Sequence, residues 1–321
     1  MSLRVVVRVV PFVVISAFGQ PSTPTSHTLS PAGWFDVSST MPSARLSDFD
    51  VRRNVLLFVF ASKQQSEIVV MSREGDQSTR WSLPGHQRFG RLLSDRTAAL
   101  GGYVQTGGIE VCEYSLDGRR SERCFALDKS VEFLETSGSD LIGFSVESIH
   151  FLKWTGTSSV SALFGGEFPW WKAVQGQWVV AVSGVDGTLT TVNLATGARA
   201  THNLLSDRLD AIRVNQEKDQ ALIGKMSAWE QWIFCVPASY NTFVGLPVDV
   251  FDLSGRLISA ITLRLPQFKE LRRGPSPTTR LQNPTGHPVA NFFRIEAGRL
   301  YLVDRIAGRV VYYDLPGELN R

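Results

Sequence analysis

Short stretches in which apolar and polar residues alternate recur along the chain, and each ends in a polar pair or triplet followed by glycine. Alternation with a period of two is typical of a β-strand with one buried face, and the glycine supplies the positive φ of a tight hairpin turn. Most of these stretches lie between a more continuously apolar segment and a second short strand pattern. Each unit therefore predicts several strands joined by tight turns. Six windows have this pattern: 68–75, 111–118, 149–156, 190–197, 248–255 and 310–317.

The closing glycines of the first four windows follow one another at intervals of about 40 residues, and the last two intervals are about one strand pair longer. A period near 40 with about four strands per unit is typical of β-propeller blades. The sequence therefore predicts an all-β protein, a six-bladed β-propeller over residues 34–321. A β-sandwich or two smaller β domains remain as alternatives, because they share regular strand spacing.

The sixth unit lacks an outer strand, because the chain ends shortly after Asp314. The segment 34–40 precedes the first unit and has no partner strand of its own. We expect this N-terminal strand to close the last blade, since closing the ring removes open sheet edges.

Residues 284–317 contain Pro-x-Gly, then Gly-Arg-Leu-Tyr-Leu-Val-Asp, then Arg-Val-x-x-Tyr-Asp. This segment, about a tenth of the chain, resembles an NHL repeat. The resemblance departs from the family pattern at 306–308, where Ile-Ala-Gly replaces the usual turn that contains asparagine. It implies a six-bladed propeller in which Asp304 and Arg309 form a structural pair rather than a catalytic one. The matching positions are Leu300, Tyr301, Val303, Asp304, Arg309, Val310 and Asp314.

Residues 1–19 have two arginines in their first part, at positions 4 and 8, then an apolar run, and small residues at 17 and 19. This order is typical of a signal peptide, so we expect an exported protein, periplasmic or extracellular. An uncleaved anchor or a buried first strand are the alternatives. Residues 20–33 are rich in Ser, Thr and Pro and predict a flexible tether. We expect no transmembrane span after the signal peptide, because no later segment is apolar for long enough.

The composition excludes some classes of protein. The chain of 321 residues is 43% hydrophobic, which is too apolar for a disordered protein, and its net charge of +3 gives little attraction to nucleic acid. We expect a monomer.

Three cysteines are too few for a disulfide scaffold. Cys112 and Cys124 flank a predicted turn at Gly118 and form either a disulfide or, after a one-residue register shift, two thiols on opposite faces. Cys235 is expected to be a buried apolar residue.

No sequence motif of a hydrolase nucleophile, a zinc protease or a phosphate-binding loop is present. We therefore expect no cofactor. Some six-bladed propellers hold a metal on the channel axis, and converging carboxylates would suit Ca²⁺. The alternative is that these acids are solvated charges at strand ends, since their spacing does not repeat between blades. The candidate metal ligands are Asp48, Asp50, Asp95, Glu132 and Asp210.

Two long intervals between units predict insertions at 227–246 and 264–288, and long loops often have functions. Exposed indoles could stack on a sugar or contact a peptide, and a basic loop could contact an acidic partner or a polysaccharide. Packing between blades and a solvated basic loop are the alternatives. The candidate ligand or partner residues are Trp170, Trp171, Trp229, Trp232, Lys269, Arg272 and Arg273.

The sequence thus favours an exported binding or interaction module with a protein or carbohydrate ligand, rather than an enzyme. A metal-dependent lactone hydrolase or lyase is the alternative, which other six-bladed propellers suggest by analogy of fold. A structural element of an envelope complex is a third possibility.

Overall fold

The computed structural model of the protein describes residues 23–320 with several gaps. Outside the described part are 76–77, 105–106, 128–130, 132, 138–139, 145–147, 154–155, 162–169, 216–220, 239–244, 266–291 and 305–307. Within the described ranges, no helix combines the length and the apolar character that a membrane crossing requires.

Strands make up nearly all of the regular structure. In chain order the elements are β1 (Thr25–Leu29), β2 (Gly33–Asp36), β3 (Arg45–Arg52), β4 (Val55–Ala61), β5 (Gln65–Ser72), β6 (Ser78–Pro84), β7 (Gln87–Leu92), β8 (Thr97–Tyr103), β9 (Ile109–Ser115), β10 (Arg120–Leu127), β11 (Phe133–Ser137), β12 (Asp140–Phe144), β13 (Ser148–Lys153), β14 (Gly156–Ser161), β15 (Trp170–Gln175), β16 (Trp178–Ser183), β17 (Thr188–Asn193), β18 (Arg199–Asn203), α1 (Asp207–Asn215), β19 (Ile223–Trp229), β20 (Trp232–Pro237), β21 (Leu246–Phe251), β22 (Leu257–Leu263), β23 (Phe292–Glu296), β24 (Arg299–Asp304), β25 (Arg309–Asp314) and a short 3₁₀ helix (Gly317–Leu319).

The strands form an all-β propeller. Five sheets have four antiparallel strands each: β3–β6, β7–β10, β11–β14, β15–β18, and β23–β25 with β2. The structure thus shows five blades of the regular four-stranded form, where the sequence predicted six. The remaining sheet contains β19–β22 and has β1 as a fifth strand, which pairs in parallel with β22. The innermost strands contact one another in a closed series, β3, β7, β11, β15, β19, β23 and back to β3.

The N-terminal strand joins the last sheet, as the unpaired segment 34–40 led us to expect. Gly33–Asp36 lies antiparallel to β25, with Trp34 opposite Val311 and Asp36 opposite Arg309. Arg309 also donates two hydrogen bonds to the Asp36 carboxylate, at 2.5 and 2.8 Å. The last sheet is therefore completed by a strand that precedes the first sheet in the chain.

The prediction of a flexible tether over 20–33 is wrong for residues 25–29, which form β1. An edge strand is held by its backbone hydrogen bonds, so its side chains can remain polar and exposed. Leu29 packs against the apolar cluster of the last two sheets, and His27 Nε2 lies 2.6 Å from Glu318 Oε1. Residues 1–19 lie outside the described part of the chain.

Apolar side chains from neighbouring sheets pack against each other to form the core. The ring of Phe49 on β3 lies 5.0 Å from the ring of Phe58 and 6.3 Å from the ring of Tyr301 on β24. Burying one such side chain contributes about 1.5–3 kcal/mol. The contact between Phe49 and Tyr301 joins the first sheet to the last and stabilises the closed ring.

Helix α1 connects the fourth sheet to the next one. The Ser206 hydroxyl caps its N-terminus by accepting the Leu209 N–H at 3.2 Å and donates to buried Asp249 at 2.5 Å. Arg208 Nη1 lies 3.0 Å from the other oxygen of Asp249. Asp210, expected on an inner strand, is instead exposed on this helix and pairs with Arg213 at 2.6 Å.

The predicted insertion 227–246 is part of a sheet. It contains the end of β19, the whole of β20 and the start of β21, and Trp229 lies opposite Trp232 across a tight turn. The sequence pattern was misread because Glu230 and Gln231 make this turn without a glycine. Of the second insertion, 264–288, residues 266–288 lie outside the described part, and with them Lys269, Arg272 and Arg273.

Candidate functional site

A cavity of about 790 Å³ lies at one end of the propeller axis. Its walls come from the last residues of β3, β11, β15, β19 and β23, from the turns that follow several of them, and from Leu92 on β7. Because these are the innermost strands of their sheets, the cavity is the mouth of the central channel. We call it the channel-mouth cavity.

Three turns at the rim have a strained backbone. Arg53, Glu230 and Ala297 adopt positive φ values of 51°, 55° and 47°, and each follows an inner strand. They are the only non-glycine residues with positive φ in the described part of the chain. Such a conformation costs about 1–3 kcal/mol, and strain of this kind clusters at functional sites.

A buried network of charges forms beside the cavity. Arg91 on β7 donates to Asp48 on β3 at 2.5 Å and lies 3.4 Å from Glu135 on β11. Glu135 in turn lies 2.8 Å from Arg294 on β23. In the closed series of inner strands, β11 and β23 are three places apart, so this last pair crosses the channel. The network therefore spans the channel beside the cavity.

Asp50 lies next to this network and lines the cavity. Its Oδ2 accepts the backbone N–H of Leu92 at 2.8 Å. Burial raises the pKa of Asp50 to about 6, although Arg91 and Arg294 oppose the shift, and Glu135 adds to it. This carboxyl group therefore changes charge close to neutral pH.

Gln175, the last residue of β15, is the second polar group of the cavity. It is 7% exposed, and neither Oε1 nor Nε2 has a hydrogen-bond partner in the protein. A buried polar group without a partner costs about 1–3 kcal/mol. A ligand that presents both a donor and an acceptor would offset this cost.

The candidate tryptophans have different positions. Trp171 donates its Nε1–H to the Ile223 carbonyl at 3.0 Å and packs, partly buried, against the apolar cluster of two sheets. Trp232 also packs in the core. Trp229 lines the cavity, and so does Trp178, which was not among the candidates. The side chain of Trp170 lies outside the described part of the structure.

Among the described residues, the candidate metal ligands do not form a group with metal-ligand spacing. Asp48 is neutralised by Arg91, and Asp95 is exposed in the turn after β7. Asp210 lies on α1, and Glu132 lies outside the described residues. The sequence pattern indicated Asp48 and Asp50 but not Arg91, Gln175 and Arg294. The short sequences around Arg91 and Gln175 contain no motif, and no local pattern shows which strands will meet.

Cys112 and Cys124 are joined by a disulfide between β9 and β10, with Cα atoms 4.1 Å apart. This is one of the two alternatives that the sequence left open. Among the described residues, these two cysteines and Glu110 form the one group with metal-ligand spacing. Because both sulfurs are bonded to each other, they offer no thiolate to a metal. Cys235 is buried, and burial raises the pKa of its thiol, which favours the unreactive protonated form.

No protein-family model matches the chain, so the NHL resemblance stays a prediction. No curated protein matches it either. Several solved structures are similar in shape. U3-55K is 12% identical, with 89% of this chain and 100% of that chain covered and a TM-score of 0.53. Hsv2 of Kluyveromyces lactis is 11% identical, with 81% and 72% covered and a TM-score of 0.51.

A glutaminyl cyclase of Myxococcus xanthus is 12% identical, with 92% of this chain and 100% of that chain covered and a TM-score of 0.43. Identities this low say nothing about a shared ligand or reaction. What the chain has in common with these proteins is the β-propeller fold.

Proposed function

We propose that this protein is a ligand-binding propeller module and that the channel-mouth cavity is its binding site. The observation that supports the proposal most directly is Gln175, a residue of the cavity lining whose buried side-chain amide has no partner within the described protein. The volume of about 790 Å³ falls within the usual range for small-molecule sites, about 300–1,000 Å³. The polar and apolar residues of the lining suit a small ligand with a few polar groups.

We also propose that the propeller has six blades, with β19–β22 as the one that is not regular. These four strands have the antiparallel order of the other blades, and β1 is an addition at the outer edge. The closed series of six inner strands supports this count. Mass spectrometry after limited proteolysis would test whether β1 can be removed without unfolding the ring.

Export is a further part of the proposal. It is supported by the basic and apolar pattern of residues 1–19 and by the disulfide between Cys112 and Cys124, since disulfides persist in oxidising compartments. Fractionation of cells that produce the full chain, with the N-terminus of the product sequenced, would test both the location and the cleavage.

The metal-dependent lactone hydrolase or lyase has less support. Two guanidinium groups, Arg91 and Arg294, lie among the carboxylates that would have to hold Ca²⁺. A divalent cation prefers several uncompensated carboxylate and carbonyl oxygens. The charges at the channel mouth therefore favour binding of an organic ligand over metal-dependent catalysis.

The binding proposal is tested with the Gln175→Leu variant, which keeps the approximate size of the side chain and removes both amide groups. The probes are leucinamide, N-acetylleucinamide, succinate and glucose, measured by thermal shift and ligand-observed NMR. Gln64→Leu is the matched control, because Gln64 is exposed in the turn between β4 and β5, away from the cavity. We expect at least one probe to bind the wild type and the control more tightly than it binds Gln175→Leu. If no probe binds, or if all three proteins bind alike, the proposal is wrong.

A further inference from the structure

The lining of the channel-mouth cavity has one more acidic residue than basic residues. Its charged side chains are Asp50, Glu135, Glu230, Glu296, Arg52, Arg53 and Arg294. Asp48 and Arg91, directly behind the lining, neutralise each other. With Asp50 ionised, the cavity is therefore complementary to a ligand with a single positive charge.

Asp50 is the acid of the network that has no cationic neighbour at ion-pair distance. Glu135 is paired with Arg294 at 2.8 Å and Asp48 with Arg91 at 2.5 Å. Among the described residues Asp50 forms no ion pair, and its Oδ2 accepts the Leu92 N–H. A cationic group bound in the cavity would supply the missing charge.

Gln175 specifies a second feature of the ligand. Its side-chain amide offers one acceptor and two donors, and a carboxamide or peptide group has the complementary donor and acceptor. The remaining lining includes Trp178, Trp229, Leu253 and Ile295, which present apolar surface. The lining thus combines a site for a cation, a site for an amide and an apolar wall.

We propose that the channel-mouth cavity binds an α-ammonium group next to an amide, as found at the N-terminus of a peptide or in a free amino acid amide, with Asp50 opposite the ammonium and Gln175 opposite the amide. This inference rests on the proposed function, because it names the ligand class of the same site. An anion fits less well, since the guanidinium groups of Arg91 and Arg294 are already bound to carboxylates. A neutral sugar would leave the charge of Asp50 uncompensated.

The direct test is isothermal titration with leucinamide and two probes that each lack one of its groups. N-acetylleucinamide lacks the positive charge, and 3-methylbutylamine lacks the amide. We expect leucinamide to bind at least about tenfold more tightly than either probe, as expected for loss of a charged or well-aligned hydrogen bond. Comparable binding of N-acetylleucinamide would overturn the proposal.

The variants assign the two contacts. Asp50→Asn is expected to weaken leucinamide by about tenfold and to leave N-acetylleucinamide unchanged, while Gln175→Leu should reduce leucinamide to the affinity of 3-methylbutylamine. If the variants change all three probes equally, neither residue makes the assigned contact.

A measurement on the wild type avoids any effect of substitution on folding. The affinity for leucinamide should rise between pH 5 and pH 7 as Asp50 ionises, because its pKa is about 6 and the ammonium stays protonated over this range. The other charged groups that face Asp50 are Arg91, Arg294 and Glu135. A pH-independent affinity would contradict the assignment.

Two further results separate this inference from the proposed function. If succinate or glucose binds in a way that depends on Gln175 and leucinamide does not, the ligand class is wrong and the binding site stands. If none of the probes binds, both proposals fail. A tripeptide amide with N-terminal leucine distinguishes the two sources: tighter binding than leucinamide indicates a peptide N-terminus, and weaker binding indicates the free amide.

Discussion

Glu135 on β11 and Arg294 on β23 lie 2.8 Å apart and form an ion pair across the central channel. Their strands are three places apart in the series of inner strands, so the contact joins opposite sides of the ring. Arg91 approaches the same Glu135 oxygen from β7, at 3.4 Å. Side chains from β7 and β23 therefore meet one carboxylate on β11, and this contact links three inner strands of the ring.

Glu135→Gln is expected to destabilise the protein by about 2–4 kcal/mol, because it leaves the buried guanidinium group of Arg91 and the half-buried one of Arg294 with less compensation. Urea unfolding at pH 7 measures the change. The control is Glu110→Gln, which breaks the exposed pair with Arg120 and should cost at most about 1 kcal/mol. Equal effects of the two substitutions would show that the network contributes no more than a surface pair.

The sequence predicts the features that depend on local patterns and misses those that depend on contacts between distant residues. The closing strand β2 was predictable because the alternation of each strand is a local property and the units can be counted directly along the chain. Asp48 and Asp50 were identified as channel residues, but as ligands for a metal. Their partners Arg91 and Arg294 are far apart in the chain and meet only when the ring closes, so no local pattern relates them.

The tight turn at Glu230 was missed for a different reason. Hairpin turns are recognised in a sequence by glycine or asparagine at the position of positive φ, and Glu230 adopts φ 55° without either. The segment 227–246 was therefore interpreted as an insertion rather than as the hairpin of β19 and β20. The strand β1 was missed because its pairing depends on backbone hydrogen bonds, which a polar sequence does not reveal.

Asp50→Asn is expected to stabilise the unliganded protein above pH 6. Burial raises the pKa of Asp50 from the ordinary value of 3.8 to about 6, so the folded state binds this proton more tightly than the unfolded state. The contribution of Asp50 to the free energy of unfolding is therefore fully present below pH 3.8. It falls by about 3 kcal/mol as the pH rises from 3.8 to about 6. The difference in unfolding free energy between variant and wild type should therefore grow from pH 4 to pH 7. A difference that stays constant over this range would contradict the shift.

Glu67→Gln is expected to loosen the segment that follows the closing strand. Glu67 on β5 is 3% exposed and accepts hydrogen bonds from the Ser39 hydroxyl at 2.5 Å and the Thr40 N–H at 2.7 Å. Burial raises the pKa of Glu67, but the hydrogen bonds from Ser39 and Thr40 outweigh it, so the net shift is downward. The substitution should cost about 1–3 kcal/mol at pH 7.

Because the pKa of Glu67 is lowered in the folded state, its contribution is present above the unfolded value of 4.5 and is lost as the pH falls further. Hydrogen exchange should show faster exchange at 33–40 in the variant at pH 7, and unfolding experiments should show wild type and variant converging in acid. Glu74→Gln, at an exposed glutamate, is the control. Unchanged protection at 33–40 would mean that Glu67 does not hold this segment.

Reduction of the disulfide between Cys112 and Cys124 should destabilise the protein by about 2–3 kcal/mol, because the bond closes a short loop and constrains the unfolded chain. The measurement is the unfolding free energy with and without dithiothreitol. The double variant Cys112→Ser and Cys124→Ser should have the same unfolding free energy with and without dithiothreitol. A wild type that is insensitive to the reductant would show that the bond does not contribute to stability.

Gln175→Leu distinguishes a residue that serves the fold from one that serves a ligand. A buried glutamine that supports the structure loses stability when it is replaced, but here neither amide atom has a partner in the protein. Replacing an unsatisfied amide by an apolar group of similar size removes a desolvation cost, so the unliganded variant should be more stable by about 1–2 kcal/mol. The matched Gln64→Leu should change stability by less than about 0.5 kcal/mol, as for other surface sites. If Gln175→Leu is more stable and binds leucinamide more weakly, Gln175 serves a ligand and lowers the stability of the unliganded protein. If the variant is less stable, Gln175 serves the fold.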